Sequence, residues 1–125
     1  MHGETIVEPV EPGTNLAAVR CPDVDVLAHP GLLTREEAHI AAENGVFVEL
    51  TSRRGHSLTN GLVYELASAA GARLVVDSDG HSPDDLLTAE FARKVALGAG
   101  VPAGELELVL QRNPEALLAR ARKVF

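Results

Sequence analysis

Three segments of this sequence place histidine beside a carboxylate or directly after an apolar run. The segment 77–81 reads Asp-Ser-Asp-Gly-His and follows the apolar residues 74–76. A second, mostly apolar run ends directly before His29, and the sequence opens with His2, two residues before an acid. Imidazole and carboxylate groups together are ligands for Zn, Mn or Fe. The candidate ligands of one metal centre are therefore His2, His29, Asp79 and His81.

A short cationic segment, Arg53, Arg54 and His56, follows the apolar run at 47–50. A guanidinium group binds phosphate through two parallel hydrogen bonds, so Arg53 and His56 are candidates for contacting a phosphorylated substrate. The same three residues also fit an ordinary exposed turn. The sequence leaves both interpretations open, and it identifies no catalytic nucleophile.

The candidate ligands follow runs with the pattern of buried parallel strands. We predict strands over 24–28, 47–50 and 74–77, which are mostly apolar without strict alternation and are separated by longer amphipathic segments. This pattern is typical of α/β proteins in which helices cover a parallel sheet. Since the carboxyl ends of parallel strands meet at one edge, we expect His29 and Asp79 to converge there.

Capping signals mark the ends of two predicted helices. Thr34 and Glu37 form the capping-box pattern that begins a helix, and Gly45 ends it. Ser57 is predicted to cap the next helix, which ends at Gly71. These helices would complete successive βα units.

Four further segments are predicted outside this pattern. Residues 15–20 fit a short helix. Ser82, followed by proline and two acids, predicts one helix that continues through Val95, and Asn113, also followed by proline, predicts the start of a final helix. Residues 105–110 fit either a strand or a helix, and we favour a helix.

Length and composition indicate one domain of ordinary soluble character. The 125 residues are 46% hydrophobic and contain no Trp, so Ala, Val and Leu must build the core. A net charge of -7 argues against binding nucleic acid. The single cysteine excludes an intramolecular disulfide, and no signal peptide or membrane span is visible. We therefore expect a cytoplasmic protein without nucleic-acid or membrane partners.

The segments His2–Thr5, Leu27–Gly31 and Asp77–His81 resemble, in order and spacing, the later motifs of the polymerase-and-histidinol-phosphatase (PHP) family, particularly its stand-alone histidinol-phosphatase-like members. The resemblance runs over nearly the whole chain but covers only the later half of the family domain. It implies that residues 1–125 form one partial α/β domain, the C-terminal portion of a distorted seven-stranded (β/α) barrel. It also implies a metal-dependent phosphoesterase that acts on a small phosphomonoester.

Carried over position by position, the resemblance implies that His2 and His29 share one metal ion, that Asp79 binds a neighbouring ion and that His81 binds a third. The divalent ions, up to three in the family, neutralise charge on the phosphoryl oxygens. Zn, Mn and Fe all accept these ligands. Arg53 or His56 is then expected to meet the phosphate.

The sequence departs from the family pattern in its first half. No His-x-His pair occurs, and the metal-bridging glutamate of the family would precede residue 1. We therefore expect that the sequence begins inside a domain and that the chain self-associates or pairs with a missing N-terminal half. Two alternative functions stay open, a catalytically incomplete half-barrel and a metal-dependent amidohydrolase.

Overall fold

Three parallel strands form the centre of the structure, a computed structural model that describes residues 1–124. The strands pair in the order β1-β2-β3. A single parallel bridge between His2 and Ala28 adds the N-terminal segment beside β1. The strands are β1 (Val26–Leu27), β2 (Phe47–Thr51) and β3 (Leu74–Asp77). The predicted parallel α/β arrangement is confirmed, although β1 is shorter than the predicted 24–28.

Helices alternate with the strands, as the sequence pattern indicated. Helix α2 packs against both α1 and α3, and the last helix follows a π-helical segment, Leu108–Arg112. The helices are α1 (Thr14–Arg20), α2 (Arg35–Asn44), α3 (Asn60–Ala70), α4 (Ala89–Gly98) and α5 (Asn113–Val124). Among residues 1–124, no helix has both the length and the apolar composition needed to cross a membrane.

The central strand β2 is buried on both faces. Val48 and Leu50 belong to an apolar cluster made largely of Ala, Val and Leu, as the composition predicted. Because side chains alternate along a strand, Phe47, Glu49 and Thr51 lie on the opposite face, and they are buried as well. The sheet therefore holds a glutamate in its interior.

The helix-end predictions were correct at α2 and partly wrong at α3. Thr34 and Glu37 form a reciprocal capping box, and Gly45 and Gly71 end α2 and α3 in the left-handed conformation. Ser57 does not cap α3, because the chain first makes the 3₁₀ turn His56–Thr59.

Asn60, the first residue of α3, clamps the end of β2. Its side-chain oxygen accepts from the Thr51 backbone N–H at 3.1 Å, and its amide donates to the Thr51 carbonyl at 2.8 Å. Both backbone groups would otherwise lack a strand partner at this position. The clamp fixes where the chain leaves β2.

The segment that was predicted as one helix from Ser82 to Val95 is two elements. The 3₁₀ turn Pro83–Asp85 ends at Leu86, which has an extended backbone. Helix α4 then starts afresh, because the Thr88 hydroxyl accepts a hydrogen bond from the Phe91 N–H. Ser82 and Thr88 therefore each begin a separate element, a short 3₁₀ turn and helix α4, instead of one long helix.

Helix α5 begins at Asn113 as predicted, but the Asn113 side chain has a role other than a helix cap. The chain is already helical through Leu108–Arg112, which confirms the helical interpretation of 105–110, so no orphan N–H groups need capping there. The buried Asn113 amide instead donates to the Leu74 carbonyl at 2.8 Å. This hydrogen bond ties the helical C-terminal segment to the start of β3.

Replacing Asn113 by alanine should lower the free energy of unfolding by about 1–3 kcal/mol, because the buried Leu74 carbonyl loses its donor. Denaturant unfolding measures the change. Gln111→Ala, at an exposed position two residues away, is the control and should stay within about 0.5 kcal/mol of wild type. An Asn113→Ala protein as stable as this control would contradict the assigned role.

Candidate metal centre

Three side chains meet at the carboxyl edge of the sheet in an arrangement that can hold a metal ion. His29, His56 and Asp79 each offer one ligand atom, and these atoms all lie within 4.8 Å of one another. His29 leaves β1, His56 follows β2 and Asp79 follows β3. Parallel pairing of the three strands therefore brings together residues that are far apart in sequence.

His29 is buried and is held by Glu49 of the neighbouring strand. The Glu49 Oε1 atom accepts from the His29 backbone N–H at 2.9 Å and lies 3.0 Å from the His29 Nδ1 atom. The His29 backbone has φ 32°, in the left-handed region. Both the ring and the unusual backbone of His29 are thus tied to one carboxylate oxygen.

His2, one of the candidate ligands from the sequence, lies directly against His29. The Nδ1 atom of His2 is 2.8 Å from the Nε2 atom of His29, and the two rings meet edge to face. Backbone hydrogen bonds hold the two segments together, since Ala28 donates to Met1 at 2.9 Å and Gly3 donates to Ala28 at 2.8 Å. The Nε2 atom of His2 lies 3.5 Å from Glu8.

His56 turns its ring into the centre rather than toward solvent. Its ring stacks on that of His29 with centroids 4.3 Å apart, and its Nδ1 atom is hydrogen-bonded to the Thr5 hydroxyl. The Nε2 atom lies 3.8 Å from Asp79 and 3.7 Å from Glu8. Burial, followed by repulsion from the His29 ring, lowers the pKa of His56 below that of an exposed histidine. A neutral imidazole is the form that binds a metal.

Asp79 also has a left-handed backbone, with φ 47°. Among residues 1–124, His29 and Asp79 are the positive-φ residues other than glycine. Such a conformation costs a non-glycine residue about 1–3 kcal/mol and persists where the surroundings enforce it. Strain of this kind clusters at functional sites, and here it coincides with two of the three grouped candidate ligands.

His81 lies outside the group formed by His29, His56 and Asp79. It is exposed, and its Nδ1 atom lies 2.6 Å from the Asp79 carbonyl oxygen. The structure therefore places His81 beside the centre, on the loop that carries Asp79.

Arg53 holds this loop in place. Its Nη1 atom donates to the Asp79 carbonyl at 3.3 Å and to Asp85 Oδ2 at 3.2 Å. Asp85 also accepts from the backbone N–H groups of His81 and Ser82. The His81 hydrogen bond first, and then Ser82 and the Arg53 charge, lower the pKa of the Asp85 carboxyl. Arg53 thus clamps residues 79–85 and lies at the edge of the centre.

Sequence reasoning missed three residues that contact the centre. Glu49 carried a usable signal, because a carboxylate within a strand buried on both faces requires a partner. Thr5 and Glu8 carried no signal, since their contacts with His56 depend on how the N-terminal segment returns over the sheet. His56 was noted as a candidate for phosphate contact, whereas the structure places it among the possible metal ligands.

Comparisons with known proteins give one informative match. The chain is 51% identical over 120 residues to the uncharacterized protein MJ1295 of Methanocaldococcus jannaschii. The alignment includes 96% of this chain and 55% of that protein, so the chain spans about half the length of the curated relative that it matches. No protein-family model matches the chain. The search of solved structures gave no significant match.

Gly31 places the His29 segment against the N-terminal segment, and a side chain there should disrupt both. Gly31 has φ +65°, and an added Cβ would lie 1.9 Å from the Glu4 carbonyl oxygen. We expect Gly31→Ala to lower the free energy of unfolding by more than about 1 kcal/mol, as measured in denaturant. Gly61→Ala is the matched control: its Cβ would meet nothing within 4 Å on helix α3, so it should stabilise the protein by up to about 1 kcal/mol. Equal effects of the two substitutions would contradict this packing.

If His56 is a ligand, His56→Ala should weaken Zn²⁺ binding by at least about tenfold, the lower end of the loss seen even for residues that only support a ligand. Calorimetric titration of purified protein measures the affinity. His39→Ala removes an exposed histidine from α2 and should leave the affinity unchanged. Equal losses in the two variants would indicate nonspecific binding to histidines.

Proposed function

We propose that this chain carries metal-binding and substrate-binding residues of a PHP-type phosphoesterase that acts on a small phosphomonoester. The observation that supports it best is the convergence of His29, His56 and Asp79 at the carboxyl edge of a parallel sheet, with His2 in contact with His29. Active sites in parallel α/β folds lie at this edge. The strained backbones at His29 and Asp79 add weight to a functional interpretation over a structural one.

The residues present fit a divalent metal ion. His29 and His56 offer imidazole nitrogens and Asp79 offers a carboxylate oxygen, a set that suits Zn, Mn or Fe. The PHP resemblance implies that His2 and His29 share an ion, and their rings are already adjacent, with Nδ1 of His2 2.8 Å from Nε2 of His29, a hydrogen-bond distance that an ion would replace. A divalent ion bound there would neutralise charge on the phosphoryl oxygens of the substrate.

A cavity of about 660 Å³ next to the centre is a candidate substrate site. Arg53 and Arg54 line it with cationic groups, and Ser52 and Ser78 add hydroxyl donors. These groups can orient a phosphate. Arg53 is already bonded to Asp79 and Asp85, whereas Arg54 takes no part in those contacts, so its guanidinium group is the better placed to bind a phosphate. The volume lies within the range of small-molecule sites in proteins.

Negative charge and apolar side chains set limits on the substrate. Asp84 and Asp85 line the same cavity, and the chain as a whole carries a net charge of -7. These charges disfavour a polyanion such as nucleic acid. Leu86 and Phe91 form an apolar part of the wall that can contact the carbon skeleton of an ester.

A complete PHP barrel would need more strands than the three described here. We therefore propose that full activity requires either a second copy of the chain or a polypeptide that provides the remaining strands, and with them further metal ligands, His81 contributing to an additional ion. A chain that binds metal without hydrolysing phosphate would support the alternative of a catalytically incomplete half-barrel.

The proposal predicts that Mn²⁺- or Zn²⁺-loaded protein hydrolyses p-nitrophenyl phosphate. His29→Ala and Asp79→Ala should each reduce the rate to background, because each removes a ligand, and chelation should do the same. His39→Ala, distant from the centre on α2, should retain the wild-type rate. Metal-loaded wild type that is inactive on the phosphate ester but cleaves a p-nitroanilide amide would instead identify an amidohydrolase.

A further inference from the structure

Glu49 is the most deeply buried acidic residue near the candidate centre, and within residues 1–124 both hydrogen bonds of its side chain go to His29. The side chain of Glu49 is 1% exposed and that of His29 is 3% exposed. A single oxygen, Oε1, lies 2.9 Å from the His29 backbone nitrogen and 3.0 Å from its Nδ1 atom. The Glu49 carboxylate therefore fixes both the main chain and the ring of His29.

This contact decides which ring nitrogen of His29 carries the proton. A carboxylate oxygen only accepts hydrogen bonds, so the Nδ1 atom of His29 must donate to it. The Nε2 atom of a neutral His29 ring is then left with a lone pair. That lone pair faces the Nδ1 atom of His2 at 2.8 Å, on the side of the ring toward His2.

A purely structural role explains Glu49 poorly. Burying a carboxylate costs several kcal/mol, and replacing a buried ion pair by apolar residues is often neutral or stabilising. The neighbouring positions of β2 are filled by Phe47, Val48 and Leu50, so an apolar residue would suit the strand. The chain instead has a glutamate here, and its side chain is hydrogen-bonded to His29, whose backbone has a positive φ.

We propose that Glu49 is a positioning residue for the metal centre. It holds the proton on Nδ1 of His29 and keeps the backbone of His29 at positive φ, so that the Nε2 lone pair is directed toward the ion. Carboxylates that bind the second nitrogen of a metal-ligating histidine orient the ring and raise its basicity. This inference rests on the metal centre of the proposed function, and it adds a residue that neither the ligand set nor the substrate cavity includes.

The contact also sets the proton arrangement of His2 in the metal-free protein. Because Nε2 of His29 can only accept, the Nδ1 atom of His2 must be the donor across the 2.8 Å contact. The order of donors and acceptors therefore runs from His2 to His29 to Glu49.

Two readouts test the proposal. Long-range ¹H–¹⁵N correlation spectra of the metal-free protein report which ring nitrogen is protonated, and Zn²⁺ titration by calorimetry reports affinity. Wild type should show the proton of His29 on Nδ1. Glu49→Gln retains an oxygen acceptor but removes the charge, so the tautomer should persist and Zn²⁺ affinity should fall about tenfold. Glu49→Leu removes the acceptor, so the tautomer should be lost and affinity should fall about 100-fold.

Val48→Ala is the control for simple loss of stability. It weakens the adjacent position of the same strand, whose side chain belongs to the apolar cluster on the face opposite to that of Glu49. We expect it to lower the unfolding midpoint while leaving both the tautomer and Zn²⁺ affinity as in wild type. Should Glu49→Leu fail to fold, Glu49→Gln compared with Val48→Ala still decides the question.

The outcomes separate this inference from the proposed function. Wild-type Zn²⁺ affinity in Glu49→Gln, or a proton on Nε2 of His29 in the wild type, would overturn the role of Glu49 and leave the metal centre intact. Wild-type protein that binds no Zn²⁺ would overturn the metal centre, and with it the ligand role of His29 that the inference requires. Affinity in the order wild type, Glu49→Gln, Glu49→Leu, with the expected tautomers, would support both.

Discussion

A carboxylate buried in a sheet needs a hydrogen-bond partner, and the Glu49 carboxylate lies on the central strand β2 of this fold. Its partner is His29, which reaches it because Leu27 of β1 pairs with Val48 of β2 and the chain leaving β1 passes beside Glu49. A shift of one residue in this register would turn Glu49 to the other face of the sheet and remove its partner. The position of the candidate metal centre and the register of the sheet therefore depend on the same contact.

A second buried polar group, Asn15, extends this organisation to the N-terminal segment. The Asn15 amide donates to the Pro30 carbonyl at 2.7 Å, and its side-chain oxygen accepts from the Glu4 N–H at 2.9 Å. The Glu4 carboxylate in turn accepts from the Asn15 backbone N–H at 2.9 Å. Since these contacts join the segments that follow His2 and His29, the short helix α1 acts as a brace that keeps the two rings together.

Local signals in the sequence were enough to predict most elements, because capping boxes and glycine helix ends act over a few residues. The strand at 74–77 and the helix that Thr34 begins were both predicted correctly. The contacts that define the site are long-range: Glu49 reaches His29 across 20 residues and His56 reaches Thr5 across 51. No periodicity or spacing encodes such pairs, which is why His56 was weighed as a phosphate ligand beside its arginine neighbours. Asn113 was correctly predicted to begin the final helix, but the role of its side chain was missed for the same reason, since its partner is 39 residues away on β3.

The two strained residues of the site are stabilised in different ways, and this difference bears on how the site responds to its surroundings. The backbone of His29 is held from within the buried sheet by Glu49. That of Asp79 is held by Arg53, which donates to the Asp79 carbonyl at 3.3 Å, is 29% exposed and also contacts Asp85. Partly exposed ion pairs contribute less to stability and are screened more by salt than a buried contact such as that of Glu49 with His29. The His29 side of the candidate centre is therefore the more firmly fixed, and the loop that carries Asp79 is held by the contacts that solvent and salt weaken more easily.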